Sequence, residues 1–456
     1  MNQPVAEFAN LHPDLRGVNP ESYWLPFTPN RHFKASPHAR TMVSASGPYY
    51  TNAIGNQLFD CLSGMWCSPL GHAHPKIVEA VTKQVSTLDY SPAFQCAAPS
   101  TLKLAERVAA MAPAGMDHVF FTSSGSEAVD TALKIAHAFH RCKGEATRFR
   151  MIGRERGYHG VGLGGISVGG IPANRKAFAS LMINGVDHLP HTHNLGEMAF
   201  SKGQPSWGAH LADELERMVT LHDASSIAAV IVEPVQGSTG LLVPPVGYLK
   251  KLREICTKHG ILLIFDEVIT GFGRLGTNLN FAAQRFDVMP DMITFAKAVT
   301  NGVIPLGGVI VRKDIYDAFM HGPEFVIELF HGYTYSGHPM ATGVGLATLD
   351  VMKEEGLIQA SAALEPVLEE AIHSLRDLPD VIDIRNIGCA AAIDLKPIAG
   401  KPGLRATSVF EAGLQSNLLL RFTGDTIAMA PPFISSVKQV QHMVDSLRGL
   451  IVQTRP

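Results

Sequence analysis

Three short apolar runs lead into charged residues. "IAAVIV" (227–232) leads to Glu233, "ILLIF" (261–265) to Asp266 and Glu267, and "MITFA" (292–296) to Lys297. Burying an ammonium or a carboxylate is costly, so charges at the ends of buried strands need a reason. In open α/β sheets, ligands bind beyond the carboxyl ends of the strands. Two carboxylate sites and a lysine therefore converge where a site is expected. A structural ion-pair network at a sheet edge accounts for the spacing equally well.

A second group lies in "FTSSGSEAVDTALKIAHAFH". The run "HVFFT" (118–122) passes into Ser123, Ser124, Gly125 and Ser126, and an amphipathic helix follows. Backbone N–H groups at a helix start, with small residues and hydroxyls, make a phosphate cradle. Ser124 and Glu127 also fit a capping box, and the two roles are compatible. "RGYHG" (156–160) offers Tyr158 for stacking and His159 as a polar partner, a pattern that turn packing also produces. Together, cradle, aspartate and lysine suit pyridoxal 5′-phosphate. Lys297 would bond the aldehyde, and Asp266 would keep the pyridine nitrogen protonated. Burial and neighbouring positive charge would depress the lysine pKa.

These residues need a scaffold. Strand-like runs at 118–122, 149–152, 227–232, 261–265, 292–296 and 307–311 alternate with helical patterns such as "YLKKLREICTKHG", closed by Gly260. Short, non-alternating strands separated by helices predict a mostly parallel sheet covered on both faces. "PKIVEAVTKQVSTLDY" predicts a helix with Ile77, Val78, Val81, Val85 and Leu88 on its apolar face. Residues 1–60 read as an irregular arm with a hairpin near "YYTNAIGNQLFD". Beyond about residue 340 the chain turns helix-rich, with short strands near 381–395 and 417–430. The expected division is an arm and part of a small domain (1–65), a large domain (66–335) and a C-terminal small domain (336–456).

Composition narrows the classes. The chain has 456 residues, a formal charge of −3 and 17% charged residues, so it offers no electrostatic footprint for nucleic acid or an anionic membrane. Six scattered cysteines without C-x-x-C argue against a disulfide framework or a thiolate zinc site. No apolar run is long enough to span a bilayer, and the N-terminus shows no signal-peptide pattern. A cytoplasmic enzyme is expected. Gly160–Gly165 matches G-x-G-x-x-G, but "ISVGGIPANR" is a poor helix and the required strand–turn–helix context is missing. The H-x-H pairs His72/His74 and His191/His193 have no adjacent carboxylate or cysteine at ligand spacing, and surface or loop histidines are expected. Arg274 is left open between a structural and a site role.

Five separated blocks carry a resemblance. "EPVQGSTG", "LLIFDEVITGFGRLG", "ITFAKAVTNGVIPLGG" and "HGYTYSGHP", with the stretches from "YYTNAIGNQLFDCLSGMWC" to "RFTGDTIAMAPPF", resemble class III pyridoxal-phosphate aminotransferases. The closest likeness is to the ω-amino acid:pyruvate, or β-alanine–pyruvate, branch. The resemblance implies an α/β fold of type I. Its large domain holds a mostly parallel mixed sheet covered by helices, and both chain ends build the smaller α/β domain. It further implies a homodimer with active sites at the interface, pairing into tetramers being left open. The partners would be a small amine donor and a 2-oxo acid acceptor. By resemblance, Lys297 is the cofactor-bonding lysine, Asp266 the pyridinium partner, and Val268 and Tyr158 the residues on the two ring faces. His159 accompanies Tyr158, and Ser124, Gly125 and Ser126 form the phosphate loop. Thr334 reaches the partner subunit's phosphate, Trp66 is a pocket aromatic, and Arg421 is a mobile arginine for substrate carboxylates. Glu233 lies near the cofactor. Relatives using 2-oxoglutarate often carry an acid in the block after "EPVQG"; Ser238-Thr239-Gly240 stands there, which favours pyruvate. Alternatives are another reaction on this scaffold (2-oxoglutarate-dependent, decarboxylating or aminomutase), a nicotinamide oxidoreductase, and a non-catalytic binding protein.

Overall fold

The computed structural model describes residues 12–454. The first eleven residues, which hold most of the N-terminal stretch read for a signal peptide and the start of the arm, lie outside the described residues.

The six predicted strands all form, at His118–Thr122, Arg150–Arg154, Ile227–Val232, Leu262–Asp266, Met292–Phe295 and Gly307–Val311. They join Val186–Leu189 in one seven-stranded sheet. Five neighbours, from Met292–Phe295 to Val186–Leu189, pair in parallel, while Gly307–Val311 is antiparallel to both its neighbours. Every residue of Ile227–Val232 is buried, because helices cover both faces. Ala229, Ile231 and Ile264 pack with the helix Gly125–Cys142, and Val230, Val232, Leu263 and Phe265 share the opposite core with Tyr248–His259. Gly307 lets its strand press on the phosphate-loop segment, since a Cβ there would lie 2.5 Å from the Ser124 carbonyl oxygen.

Two four-stranded sheets flank this one. Met42–Ser46, Tyr49–Asn52 and Gln57–Asp60 are joined by Leu418–Leu419, so both chain regions build one sheet. The expected hairpin at 49–60 is its centre. Val381–Asn386, Ala391–Leu395, Thr426–Met429 and Arg421–Thr423 form the other, wholly antiparallel.

Three readings change. Val186–Leu189 is an edge strand that its polar pattern hid. "LGGISV" is a short helix, Leu163–Val168, despite its glycines. The helix Pro75–Thr87 forms, but the stripe it turns inward is Ile77, Ala80, Val81 and Gln84, with half-buried Leu88 just past its end. Val78 and Val85, a residue away at that spacing, are 54% and 52% exposed.

Candidate active site

A cavity of about 340 Å³ opens where the strands Leu262–Asp266 and Met292–Phe295 end and the helix Gly125–Cys142 begins. Lys297, Asp266, Glu233, Tyr158, His159, Val268, Ser124, Gly125 and Ser126 all line it.

Ser124 caps the 18-residue helix: its Oγ accepts the Glu127 N–H at 3.2 Å, and Glu127 Oε2 accepts the Ser123 N–H at 2.7 Å. First-turn N–H groups have no partner within a helix and carry its positive dipole end. A Cβ at Gly125 would press to 3.0 Å on a Val268 methyl, so glycine keeps the slot between them open.

Asp266 is only 5% exposed. Its Oδ2 lies 2.7 Å from His159 Nδ1, and its Oδ1 accepts from Thr294 Oγ1 at 3.0 Å and the Val268 N–H at 3.2 Å. His159 Nε2 is buried without a hydrogen-bond partner. Glu233 accepts the Tyr158 N–H at 2.8 Å and the Gly237 N–H at 3.1 Å. Burial pushes its carboxyl up to about 7; His159 opposes this and the Asp266 charge adds to it.

Lys297 is partly buried and opens the short turn Lys297–Thr300 with φ of 51°, a left-handed conformation costly for a residue with a Cβ. Burial holds its ammonium below the usual range, while Cys67, Asp266 and Glu233 pull the other way. Arg421 lowers it further but is the smallest influence, so the expected positive neighbour contributes little beside burial.

Three predicted residues stand off this cavity. Trp66 is 4% exposed in an apolar cluster with Leu62, Val235 and Ile269; Ile269 lines the cavity and Trp66 does not. Arg421 lies on its strand, partly buried, with its pKa lowered by burial and raised slightly by Tyr158. Thr334 is exposed, its carbonyl accepting from the Tyr90 hydroxyl at 3.1 Å.

Sequence reasoning passed over Cys67, which lines the cavity, and Thr294, visible as the polar residue in "MITF". Arg274 is structural: buried, it donates to the carbonyls of Cys389 and Pro431 and to Ser63 Oγ, and lies 4.6 Å from the Phe433 ring centre. The glycine-rich run serves close packing. A Cβ at Gly160 would strike Ser126, and one at Gly162 or Gly164 would strike the Asp130 carboxylate. His72 and His193 are not surface residues, because folding brings distant carboxylates to them: Asp60 at 2.9 Å and Asp383 at 3.1 Å.

A lysine amine, a buried carboxylate and a helix N-terminus around one slot are the fittings of a pyridoxal-phosphate enzyme. The chain belongs to the family Aminotransferase class-III, which matches residues 33–451. It is therefore an aminotransferase that uses pyridoxal 5′-phosphate. It is 54% identical over 441 residues to an omega-aminotransferase of Caulobacter vibrioides, covering 97% of this chain and 99% of the relative. It is 48% identical over 454 residues to a beta-alanine–pyruvate aminotransferase of Pseudomonas aeruginosa, covering 98% of each. The solved omega transaminase from Pseudomonas jessenii in complex with PMP superposes with a TM-score of 0.89, at 30% identity over 96% of this chain and 98% of that one. The slot fits the cofactor: the helix start suits its phosphate, Asp266 its ring nitrogen and Lys297 its aldehyde end.

Proposed function

We propose that the enzyme moves an amino group from an ω-amino acid or another primary amine to pyruvate, giving alanine, in two half-reactions sharing one cavity. The observation that carries this reading is Arg421. It is partly buried near Tyr158 and forms no ion pair among the described residues, so it is free for a substrate carboxylate. Thr239 is engaged elsewhere: its Oγ1 donates to the Arg156 carbonyl at 2.9 Å, and its own carbonyl accepts from Arg156 Nη2. No acid of the Ser238-Thr239-Gly240 block competes for Arg421, which supports a small acceptor. The two relatives named above, an omega-aminotransferase and a beta-alanine–pyruvate aminotransferase, support the same substrates.

When bound, pyridoxal 5′-phosphate supplies an aldehyde carbon for the amino group and an electron-withdrawing ring. Ser124, Gly125 and Ser126 take the phosphate at the helix N-terminus. Tyr158 and Val268, which line the cavity, would bound the ring. Asp266, oriented by His159 and Thr294, holds the proton at the ring nitrogen. Lys297 Nζ, its pKa lowered by burial, would hold the aldehyde end and is placed to take the proton from the donor carbon. Trp66 backs the apolar side of the substrate space. The working form is a homodimer in the cytoplasm, with Thr334 reaching the phosphate site of the partner subunit. The exposed run Phe325, Val326, Ile327 and Phe330 beside it supports such a contact.

Borohydride reduction of the holoenzyme followed by peptide mass spectrometry is expected to find the cofactor on Lys297. An adduct on another lysine overturns the assignment. Alanine formation from pyruvate across a panel of amines tests the substrate class; no alanine from any donor overturns it.

A further inference from the structure

Two turns that hold left-handed residues meet beside the cavity. One is the turn at Lys297, with φ of 51° at Lys297 and 52° at Asn301. The other is a left-handed turn at Ser63, Gly64, Met65 and Trp66, with φ of 47°, 53°, 67° and 70°. Three of those four residues carry a Cβ, so the conformation persists only where surrounding contacts enforce it. Asp60 supplies part of that enforcement. Its carboxylate accepts the N–H of Leu62 at 3.1 Å and of Gly64 at 2.6 Å. Ser63 Oγ donates to the Ala430 carbonyl at 2.7 Å. The turn sets Trp66 inward and delivers Cys67 to the cavity wall.

One residue ties these segments together. Asn301 is 3% exposed, and its amide is spent wholly on the chain just beyond the second turn. Its Oδ1 accepts the Leu70 N–H at 3.0 Å, its Nδ2 donates to the Gly71 carbonyl at 2.7 Å, and its own carbonyl accepts from Ser68 Oγ at 3.1 Å. Within the lysine turn, the N–H of Asn301 donates to Ala298 and that of Gly302 to the Lys297 carbonyl. The next residue must be glycine, because a Cβ at Gly302 would lie 2.8 Å from Cys67 Cβ.

We propose that Asn301 is a positioning residue for Lys297. It clamps the lysine turn to residues 68–71, so that the amine and the Cys67 wall of the cavity are set as one unit. Asparagine suits the place twice over: it tolerates the left-handed backbone, and its amide offers a donor and an acceptor on one short arm. The proposal rests on Lys297 being the amine that bonds the cofactor, and the test separates the two.

Asn301→Gly keeps the backbone conformation and removes the clamp. In the holoenzyme, borohydride should still place the cofactor on Lys297. Single-turnover kcat with an amine donor should fall roughly a hundredfold, with a smaller change in KM for pyruvate. The pH midpoint of the bound cofactor's visible absorption should shift, and the amides of Leu70 and Gly71 should exchange faster with deuterium. Ser68→Ala, which removes one tether and leaves the Asn301 amide intact, should move the same readouts in the same direction by a smaller factor. An adduct on a different lysine overturns both the Lys297 assignment and this proposal. An adduct on Lys297 with kcat and absorption midpoint unchanged overturns the proposal alone, even if the melting temperature falls. A Ser68→Ala loss larger than that of Asn301→Gly overturns it as well.

Discussion

Two buried clusters of ionisable side chains, around Arg385 and around Lys297, are finished differently. Around Arg385 the polar groups are paired. Its Nε donates to the Gly240 carbonyl, its Nη1 to Asp383 and Asp394, and its Nη2 to Asp394. Asp383 also accepts from the Phe200 N–H, and Asp394 from Thr426 Oγ1. The space left there is about 10 Å³. His193, Asp383 and Asp394 bring ligand-type atoms within 4.8 Å of one another, but the guanidinium already sits on both carboxylates. The cluster at Lys297 is open. Among the described residues the Lys297 amine has neither hydrogen bond nor ion pair, His159 Nε2 has no partner, and a cavity of about 340 Å³ adjoins them. Asp394 is held below the usual carboxylate range: burial works against it, but the Arg385 hydrogen bonds outweigh that. Glu233 rises to about 7, chiefly through burial. A completed cluster holds shape, and an incomplete one keeps groups available for chemistry.

The contrast breaks most visibly at the two cations. Lys297→Ala is expected to cut turnover by at least roughly 10²–10⁴-fold, the usual worth of a positioned acid–base group. Its melting temperature should hold or rise, since an unpaired buried amine is removed. Arg385→Ala should do the reverse, costing about 3–5 kcal/mol of stability by leaving Asp383 and Asp394 unpaired, with turnover per folded molecule little changed. Urea unfolding and single-turnover rates on the same samples decide it. A stable but inactive Arg385→Ala would merge the two clusters into one functional unit.

The open cluster was largely legible in the sequence and the closed one was not. Lys297, Asp266 and Glu233 each follow an apolar run within a few residues, so local pattern alone announces them. His193 meets Asp383, 190 positions away, and nothing local marks the pair. The same limit applies to the fold. Continuous apolar runs such as "IAAVIV" announce buried parallel strands, whereas "VDHL" at 186–189, on the sheet edge, has too mixed a pattern. The reversed direction of Gly307–Val311 depends on its neighbours in space. Asn301 was read only as part of a block, because its work is done on residues 68–71.

Arg421 sharpens the comparison, since it is a guanidinium without the carboxylates that Arg385 enjoys. If it is kept free for substrate, Arg421→Ala should impair the half-reaction with pyruvate far more than that with a neutral amine such as 1-phenylethylamine. Losing a charge-assisted hydrogen bond costs about 1.5–3 kcal/mol, roughly ten- to a hundredfold in apparent affinity for the acid. Single-turnover rates for each half-reaction measure it. Equal losses on both sides would make Arg421 a structural cation like Arg385.

The smallest expected effect is a difference of sign with pH. His193 faces Asp383 and Asp394 as well as Arg385, Arg156 and His191. Burial, helped by Arg385 and Arg156, lowers its pKa to about 4 from 6.5. Its folded pKa is therefore depressed, and between those values the unfolded chain binds a proton that the folded chain does not. The stability this contributes is complete above about pH 6.5 and drains as the pH falls through 4, reaching a loss of about 1.4 kcal/mol near pH 5.5. Glu233 runs the other way. Its folded value of about 7 exceeds its ordinary 4.5, so the stability tied to its proton is complete below 4.5 and is lost as pH rises through 7. His193→Asn keeps a donor for Asp383 and does not titrate, so its unfolding free energy should drop less than that of the unsubstituted apoprotein between pH 7.5 and 5.5. Glu233→Gln should narrow its stability gap to the unsubstituted apoprotein, or overtake it, as pH rises from 5 to 8. Urea titrations at those pH values read both slopes. Identical drops with and without His193 would mean that a neutral histidine does not pin the closed cluster, and the division between the two clusters would then rest on Arg385 alone.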